Sequence, residues 1–363
     1  MNFRKIAAAA VSAALALALT ACAQQEGSGS AGSGSGSDEY VLKVGEVQGA
    51  LCHAPLQVAM EKGYLDDEGI KWERVDFGGS DIQAALGSGM IDCGFGLVGK
   101  FIQPIENGLN MVITSGMHTG CTKLLVRADS GIESVADLKG RTIGVSSLAS
   151  SEAITAKRAL NAAGVDISAD GGEVAFAVYS PTDQPAALMN GAVDTNAENE
   201  YGLKVLLDTA VTEPYASEYC CVSFVSSELA EKHPDIAAAF TRAVLKASAF
   251  VAENPEEAAQ IQIDGEYVSG EARANAEILK GYKYIPSVQG GYDALVNVAA
   301  DLHDIGLLKE STDVSALVER SFKFFDGVPD SYTVSGDEFS DVVYESESLS
   351  AAPKTHVVND CCG

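Results

Sequence analysis

A doubled alternation of short apolar strands and amphipathic helices constrains this chain more than any other feature. YVLKVGEV, from Tyr40, alternates like a strand, and LQVAMEKGYLDDEG sets Leu56, Ala59, Met60 and Tyr64 on one helical face before Gly63 and Gly69 punctuate it. IKWERVDF predicts a second strand, SDIQAALGSG a short helix with Ser80 as N-cap, and MIDCGFGL a third strand. FIQPIENG then predicts a helix and LNMVITSGMH a fourth strand. Parallel strands need long crossover connections, so this β-α-β-α-β-α-β order predicts a mostly parallel sheet with helices on both faces.

ADLKGRTIGVSS opens a second round. A helix is expected around Val135 to Leu138, a strand at Thr142 to Val145, a helix over SSLASSEAITAKRALNAAG, a strand at EVAFAVYS and a helix after Pro185. DTNAENEYGLKVLLD reads as a strand-to-helix segment, and YCCVSFVSSELA returns to strand character. HPDIAAAFTRAVLKASAFVAEN predicts a strong helix: Pro234 suits its first turn, and Ile236, Phe240, Ala243, Val244, Ala247 and Val251 line one face. Another helix starts at Pro255, and more are expected over 270–281, 291–305 and 313–325. Residues 331–363 are rich in Ser, Asp and Glu and read as an acidic flexible tail.

The N-terminus bears on compartment. Arg4 and Lys5 precede an Ala/Leu-rich run ending in LTAC, which has the shape of a secretory signal covering residues 1–21. The ending is similar to a bacterial lipobox, in which the cysteine, here Cys22, becomes the lipidated N-terminus. A Gly/Ser tether follows over residues 22–38, polar and flexible. Roughly 325 residues remain, more than one core usually organises, so two lobes are expected. The formal charge of −27 makes the chain a poor partner for nucleic acid or anionic lipid. Apart from Cys22, the cysteines are Cys52, Cys93, Cys121, Cys220, Cys221, Cys361 and Cys362, an odd number that leaves at least one thiol unpaired or used otherwise.

GALCHAPLQVAMEKGYLDDEGIKWE, then ALGSGMIDCGFG, then DLKGRTIGV, behind a lipobox, together resemble the substrate-binding lipoproteins of ABC importers in the nitrate, sulfonate, taurine and thiamine-pyrimidine group. The resemblance covers residues 40–330. It implies an α/β fold of the two-lobed periplasmic-binding-protein type II, each lobe a mostly parallel sheet flanked by helices, with a ligand cleft between them. Lobe one would hold residues 40–125 and 222–330, lobe two residues 126–221, with crossings near Lys123 to Asp129 and Glu218 to Phe224. It also implies a small polar organic ligand, an ABC permease with its ATPase subunit as partners, attachment to the extracytoplasmic face through the lipid, a monomer, no cofactor and no chemistry performed.

On that resemblance the cleft side chains come from strand ends and helix starts, where ligands are expected in such sheets. Candidates are Cys52 and His53 in the loop after the first strand, Gly96 in the third strand, and His118, Thr119 and Cys121 in SGMHTGC. Ser146 and Ser147, with Ser150 and Ser151 near the next helix start, face them from lobe two. The family often carries an acidic residue before proline after a GxxD turn, and Glu200 with Tyr201 stands at that position. Bland readings compete: Cys52 as a small buried hydrophobe, the serines as helix caps. A metal site of Cys52, His53, His118 and Cys121 requires the two loops to meet, and a Cys52–Cys121 disulfide is a further alternative. Vicinal residues on a strand point to opposite faces, so only one of Cys220 and Cys221 is expected toward the cleft. Two classes compete: a metal or metal-complex receptor using these cysteines and histidines, and a thiamine-pyrimidine-synthase-like enzyme, which no GxSxG elbow, catalytic carboxylate pair or cofactor fingerprint supports.

Overall fold

The computed structural model describes residues 40–77, 82–168, 172–180, 183–189, 191, 195–196, 202–336 and 338–343. Cys22, the tether, Ser80, Glu200, Tyr201, Cys361 and Cys362 lie outside the described residues. The first round comprises β1 (Leu42–Glu46), α1 (Ala54–Glu61), α2 (Tyr64–Asp67), β2 (Trp72–Asp76), α3 (Ile82–Gly87), β3 (Cys93–Leu97), α4 (Gly99–Glu106) and β4 (Met111–His118). In the second come β5 (Lys123–Arg127), β6 (Thr142–Val145), α5 (Ser151–Ala162), β7 (Ala175–Val178), α6 (Gln184–Met189), β8 (Thr195–Asn196) and β9 (Leu203–Asp208). The chain then adds β10 (Cys221–Ser226), α7 (Ser227–Lys232), α8 (Pro234–Glu253), α9 (Pro255–Asp264), α10 (Ala272–Gly281), α11 (Val288–Asp304), α12 (Val314–Ser321), β11 (Ser331–Ser335) and β12 (Glu338–Val342).

Two five-stranded sheets result, ordered β2-β1-β3-β10-β4 and β7-β6-β8-β5-β9. In the first, β1 pairs parallel with β2 and β3, while β10 returns from the second sheet and inserts antiparallel between β3 and β4. Burial accompanies the insertion: Val222, Phe224 and Val225 are fully covered, and the Ser223 hydroxyl is satisfied by those of Thr114 at 2.7 Å and Ser115 at 2.6 Å. In the second sheet, β6 pairs parallel with β7 and β8, and β5 runs antiparallel to β8 and β9. The expected type II architecture is therefore present, with one returning strand in the first sheet.

On one face of the first sheet, α8 packs Phe240, Val244, Ala247 and Val251 with Leu56, Val58 and Met60 of α1. On the other, Phe101 and Ile102 of α4 meet Leu295, Val298 and Leu302 of α11 and Leu317 of α12. The second sheet has a smaller core built on Leu124, Val126, Ile143, Val145, Ala156 and Leu160.

Four expectations change. GLKVLLD is a strand, β9, because its edge position beside β5 lets short aliphatic alternation win over helical length. Val135–Leu138 is one 3-10 turn closed by a Ser134/Asp137 capping box, too short for a helix. Residues 331–342 are an antiparallel hairpin, not loose tail: Gly336 turns the chain at positive φ, and Tyr332 is buried beside Phe339. Finally, Lys123–Arg127 belongs to the second sheet and Cys221–Ser226 to the first, so the crossings fall at residues 119–122 and 209–220. Among the described residues, no helix is long and apolar enough to cross a membrane.

Candidate ligand cleft and cysteine–histidine cluster

The two crossings run side by side. Thr122 N–H donates to the Thr209 hydroxyl at 2.9 Å, and Thr209 N–H returns a bond to the Thr122 carbonyl at 3.0 Å. Gly120 sits at φ +85°, and a Cβ there would meet Ala210 at 2.8 Å, so only glycine fits this close approach. The return crossing is fastened to the first sheet through Cys220 N–H to the His118 carbonyl, at 3.2 Å, and Val98 N–H to the Cys220 carbonyl, at 2.9 Å.

At this junction five side chains converge from three parts of the sequence. Cys52 lies in a single 3-10 turn after β1, His118 ends β4, Cys121 lies on the first crossing, and Cys220 and Cys221 enter β10. Ligating atoms of Cys52, His118, Cys121 and Cys221 all lie within 4.8 Å of one another. Cys121 Sγ is 2.8 Å from Cys220 Sγ, 3.5 Å from Cys221 Sγ and 3.7 Å from His118 Nε2. Both vicinal cysteines thus reach Cys121, contrary to the strand-alternation argument. Cys220 precedes the strand, and the register against β4 shifts between Cys221 and Val222, so strict alternation does not apply there.

The His118 ring is fully buried, with ring centroids 5.3 Å from Tyr282 and 4.9 Å from Tyr284. Nδ1 lies 3.2 Å from the Thr119 carbonyl, which only accepts, and 3.6 Å from Cys121 Sγ, while Nε2 is 3.7 Å from the same sulfur. Burial alone would depress this imidazole, but the neighbouring Cys220 and Cys52 sulfurs outweigh it and push it up to about 10. Hydrogen bonds from Cys121 and Cys221 hold the Cys52 thiol well below its ordinary range. Burial opposes the same effect at Cys220, yet bonds from Cys121 and Cys221 and the His118 charge bring that thiol down as well. Burial, with hydrogen bonding to Cys220, holds Cys121 well up.

His53 stands apart from this group. Its ring is edge-on to Phe95, its Nδ1 has no hydrogen-bond partner, and Glu46 Oε1 is 3.9 Å away. Burial lowers His53 and lifts the Glu46 carboxyl to about 8, so both are neutral at pH 7 and the contact is no ion pair.

Next to the cluster, between the sheets, lies a small cleft of about 40 Å³. Thr122, Ser151, Thr155 and Tyr215 bring hydroxyl-bearing side chains to its lining, Val98, Ile154 and Val298 apolar surface, and Cys220 joins it to the cluster, while the Thr209 hydroxyl is spent on the Thr122 backbone. Arg158 and Glu218 also line it, paired with each other: Nη1 and Nη2 donate to the two Glu218 oxygens at 2.6 and 2.8 Å, and Nε donates to Asp301 at 2.7 Å. Ser151 begins α5 with a buried hydroxyl that has no hydrogen-bond partner, while the preceding Ser150 does the capping by accepting from Ala153 N–H.

The other expected residues are placed as follows. Ser146 commits its N–H and hydroxyl to Glu152, and Ser147 is exposed, its carbonyl accepting from Ser150. Gly96 turns its vacant side to the Phe101 ring, which a Cβ would overlap. Thr119 is buried with an unpartnered Oγ1. Sequence reasoning missed Thr122, Thr155, Arg158, Thr209, Tyr215 and Glu218. For Arg158 a signal existed: it is a charge on the helical face otherwise formed by Ile154 and other apolar residues, where an unpaired guanidinium would be costly.

The NMT1/THI5-like family profile matches residues 51–258, from the Cys52 turn into α9. The chain belongs to the NMT1/THI5-like family. Solved structures agree in fold with this NMT1/THI5-like protein. The periplasmic aliphatic sulphonate binding protein SsuA from Escherichia coli matches at TM-score 0.62 and 19% identity, over 85% of this chain and 98% of that one. SsuA from Xanthomonas axonopodis, an alkanesulfonate-binding protein bound to MOPS, matches at 0.60 and 18%, over 76% and 96%. The periplasmic nitrate-binding protein NrtA from Synechocystis PCC 6803 matches at 0.61 and 17%, over 78% and 86%. No curated protein sequence matches this member of the family.

Proposed function

We propose that this chain is the extracytoplasmic solute-binding lipoprotein of an ABC importer, which captures a small polar organic molecule of the sulfonate, taurine or pyrimidine kind between its sheets and delivers it to the permease. It performs no chemistry in this reading. The observation that carries the proposal is the cleft at the double crossing, ringed by hydroxyls, with the Ser151 hydroxyl buried and unpartnered at the start of a twelve-residue helix. A buried hydroxyl without a partner costs about 1–3 kcal/mol, and a polar ligand group removes that cost on binding. The family membership and the named functions of the similar structures support the same reading.

Ser151→Ala should therefore act with opposite signs on folding and binding. The ligand-free mutant melts at or above the wild-type temperature, while affinity falls roughly 5- to 150-fold, the equivalent of about 1–3 kcal/mol. Thermal melts and calorimetry with taurine, ethanesulfonate and an aminopyrimidine are the measurement. The true solute class raises wild-type stability by about 2.7 kcal/mol at a hundredfold excess over Kd. A panel that leaves the wild-type melt unmoved overturns the ligand class.

The lipid anchor rests on LTAC and the tether. Cys22→Ala should release the protein from the membrane fraction in cell fractionation, and retention of the unlipidated mutant there defeats the anchor.

A further inference from the structure

We propose that Cys52, His118, Cys121 and Cys221 bind a zinc(II)-class metal ion in a tetrahedral site of three thiolates and one imidazole. The site lies where both crossings leave the first sheet. The proposal does not rest on the transport reading, since any protein with this cluster would hold the ion in the same way.

Four observations carry it. First, zinc–sulfur bonds of about 2.3 Å in a tetrahedron set neighbouring ligand atoms about 3.8 Å apart. The 3.5 Å from Cys121 to Cys221 and 3.7 Å from Cys121 to His118 Nε2 are close to that edge, and the whole set lies within 4.8 Å. Small side-chain movements therefore suffice to close the shell. Second, the ligands come from three separate segments: the turn after β1, the end of β4 with the crossing that follows it, and the start of β10. Bringing so many sulfurs together in a buried place has no packing advantage over aliphatic side chains.

Third, the imidazole is prepared for a metal. Tyr282 and Tyr284 flank the ring, and both of its nitrogens lie close to Cys121 Sγ, Nδ1 at 3.6 Å and Nε2 at 3.7 Å. The Thr119 carbonyl, 3.2 Å from Nδ1, further holds the ring in place, as the outer partners of ligating histidines do. Fourth, the donor set is soft: three sulfurs and a nitrogen exclude the hard cations that ask for oxygen and fit zinc. Cys220, 2.8 Å from Cys121, is a fifth sulfur on the cleft side of the shell. It places the ion beside the solute cleft without being needed to complete four-coordination.

The test uses the full chain, purified without oxygen in reductant, stripped with chelator and titrated with zinc(II) and cobalt(II). One ion per chain is expected, with sulfur-to-cobalt charge-transfer bands and the intense d–d absorption of tetrahedral cobalt. Outer-sphere losses weaken metal sites by about 10- to 100-fold, so Cys121→Ser and His118→Ala should each exceed a hundredfold loss. Cys93→Ser, at a buried thiol on β3 outside the group, leaves uptake unchanged. Should Cys121→Ser fail to fold, alkylation of the wild type decides, with Cys52, Cys121 and Cys221 protected by zinc and released by chelator. The proposal is overturned by no uptake, by cobalt without sulfur bands, by uptake that survives in folded Cys121→Ser, or by a Cys121–Cys220 disulfide that persists in reductant.

Discussion

Arg158→Met should destabilise the folded chain by about 3–5 kcal/mol, the cost of removing one partner from a buried ion pair. The arginine and Glu218 are only 7% and 8% exposed, and their two-pronged contact at 2.6 and 2.8 Å satisfies both carboxylate oxygens. Without the guanidinium, Glu218 must stay charged and unpaired in a dry place or take up a proton, and both cost free energy. Arg158→Met with Glu218→Leu should recover most of the loss, because two apolar side chains of similar size replace a desolvated pair at little net cost. The third partner, Asp301, lies on α11 against the first sheet, whereas Arg158 is on α5 against the second, so the triad also ties the two halves together. Urea unfolding of the single and double mutants measures both terms. A single mutant that loses less than about 1 kcal/mol would show the pair to behave like an exposed one.

Gly291→Val should cost about 3 kcal/mol or more, although valine is no worse a helix former than glycine. At this position α11 lies directly on β4. A Cβ would come 2.6 Å from the Ser115 carbonyl carbon and 3.1 Å from Gly116 Cα, and backbone atoms cannot rotate aside. The contact is pinned by the exchange of bonds between Gly116 and Ser287, at 2.8 and 3.0 Å, immediately before the helix. Since His118 lies two residues beyond Gly116, the same mutation should disturb the cluster. Gly281→Ala is the contrasting case. Nothing lies within 4 Å of its Cβ position and its φ is ordinary, so alanine should stabilise by roughly 0.4–1 kcal/mol through the unfolded chain. Melting temperatures that fail to separate these two glycines would falsify the packing argument.

The sequence by itself determined the alternation of strands and helices, and through it the two α/β sheets, because apolar period is a local property that each segment carries alone. It also placed His118 and Cys121 at the end of β4 and Cys52 after β1, since a strand end shows in the polar residues that follow it. The hairpin at residues 331–342 was hidden by its acidic composition, although its alternation about Gly336 was there to be read. What only the tertiary structure decided is which of these ends meet. That β10 enters antiparallel between β3 and β4 depends on pairing energies summed over a whole sheet, and this insertion brings Cys221 opposite His118. The register shift at Cys221, the exclusion of His53 from the cluster and the pairing of Arg158 with Glu218 follow from the same packing. Contacts between residues so far apart in the chain are fixed by how whole elements fill space against one another, and a window along the sequence contains no term for that.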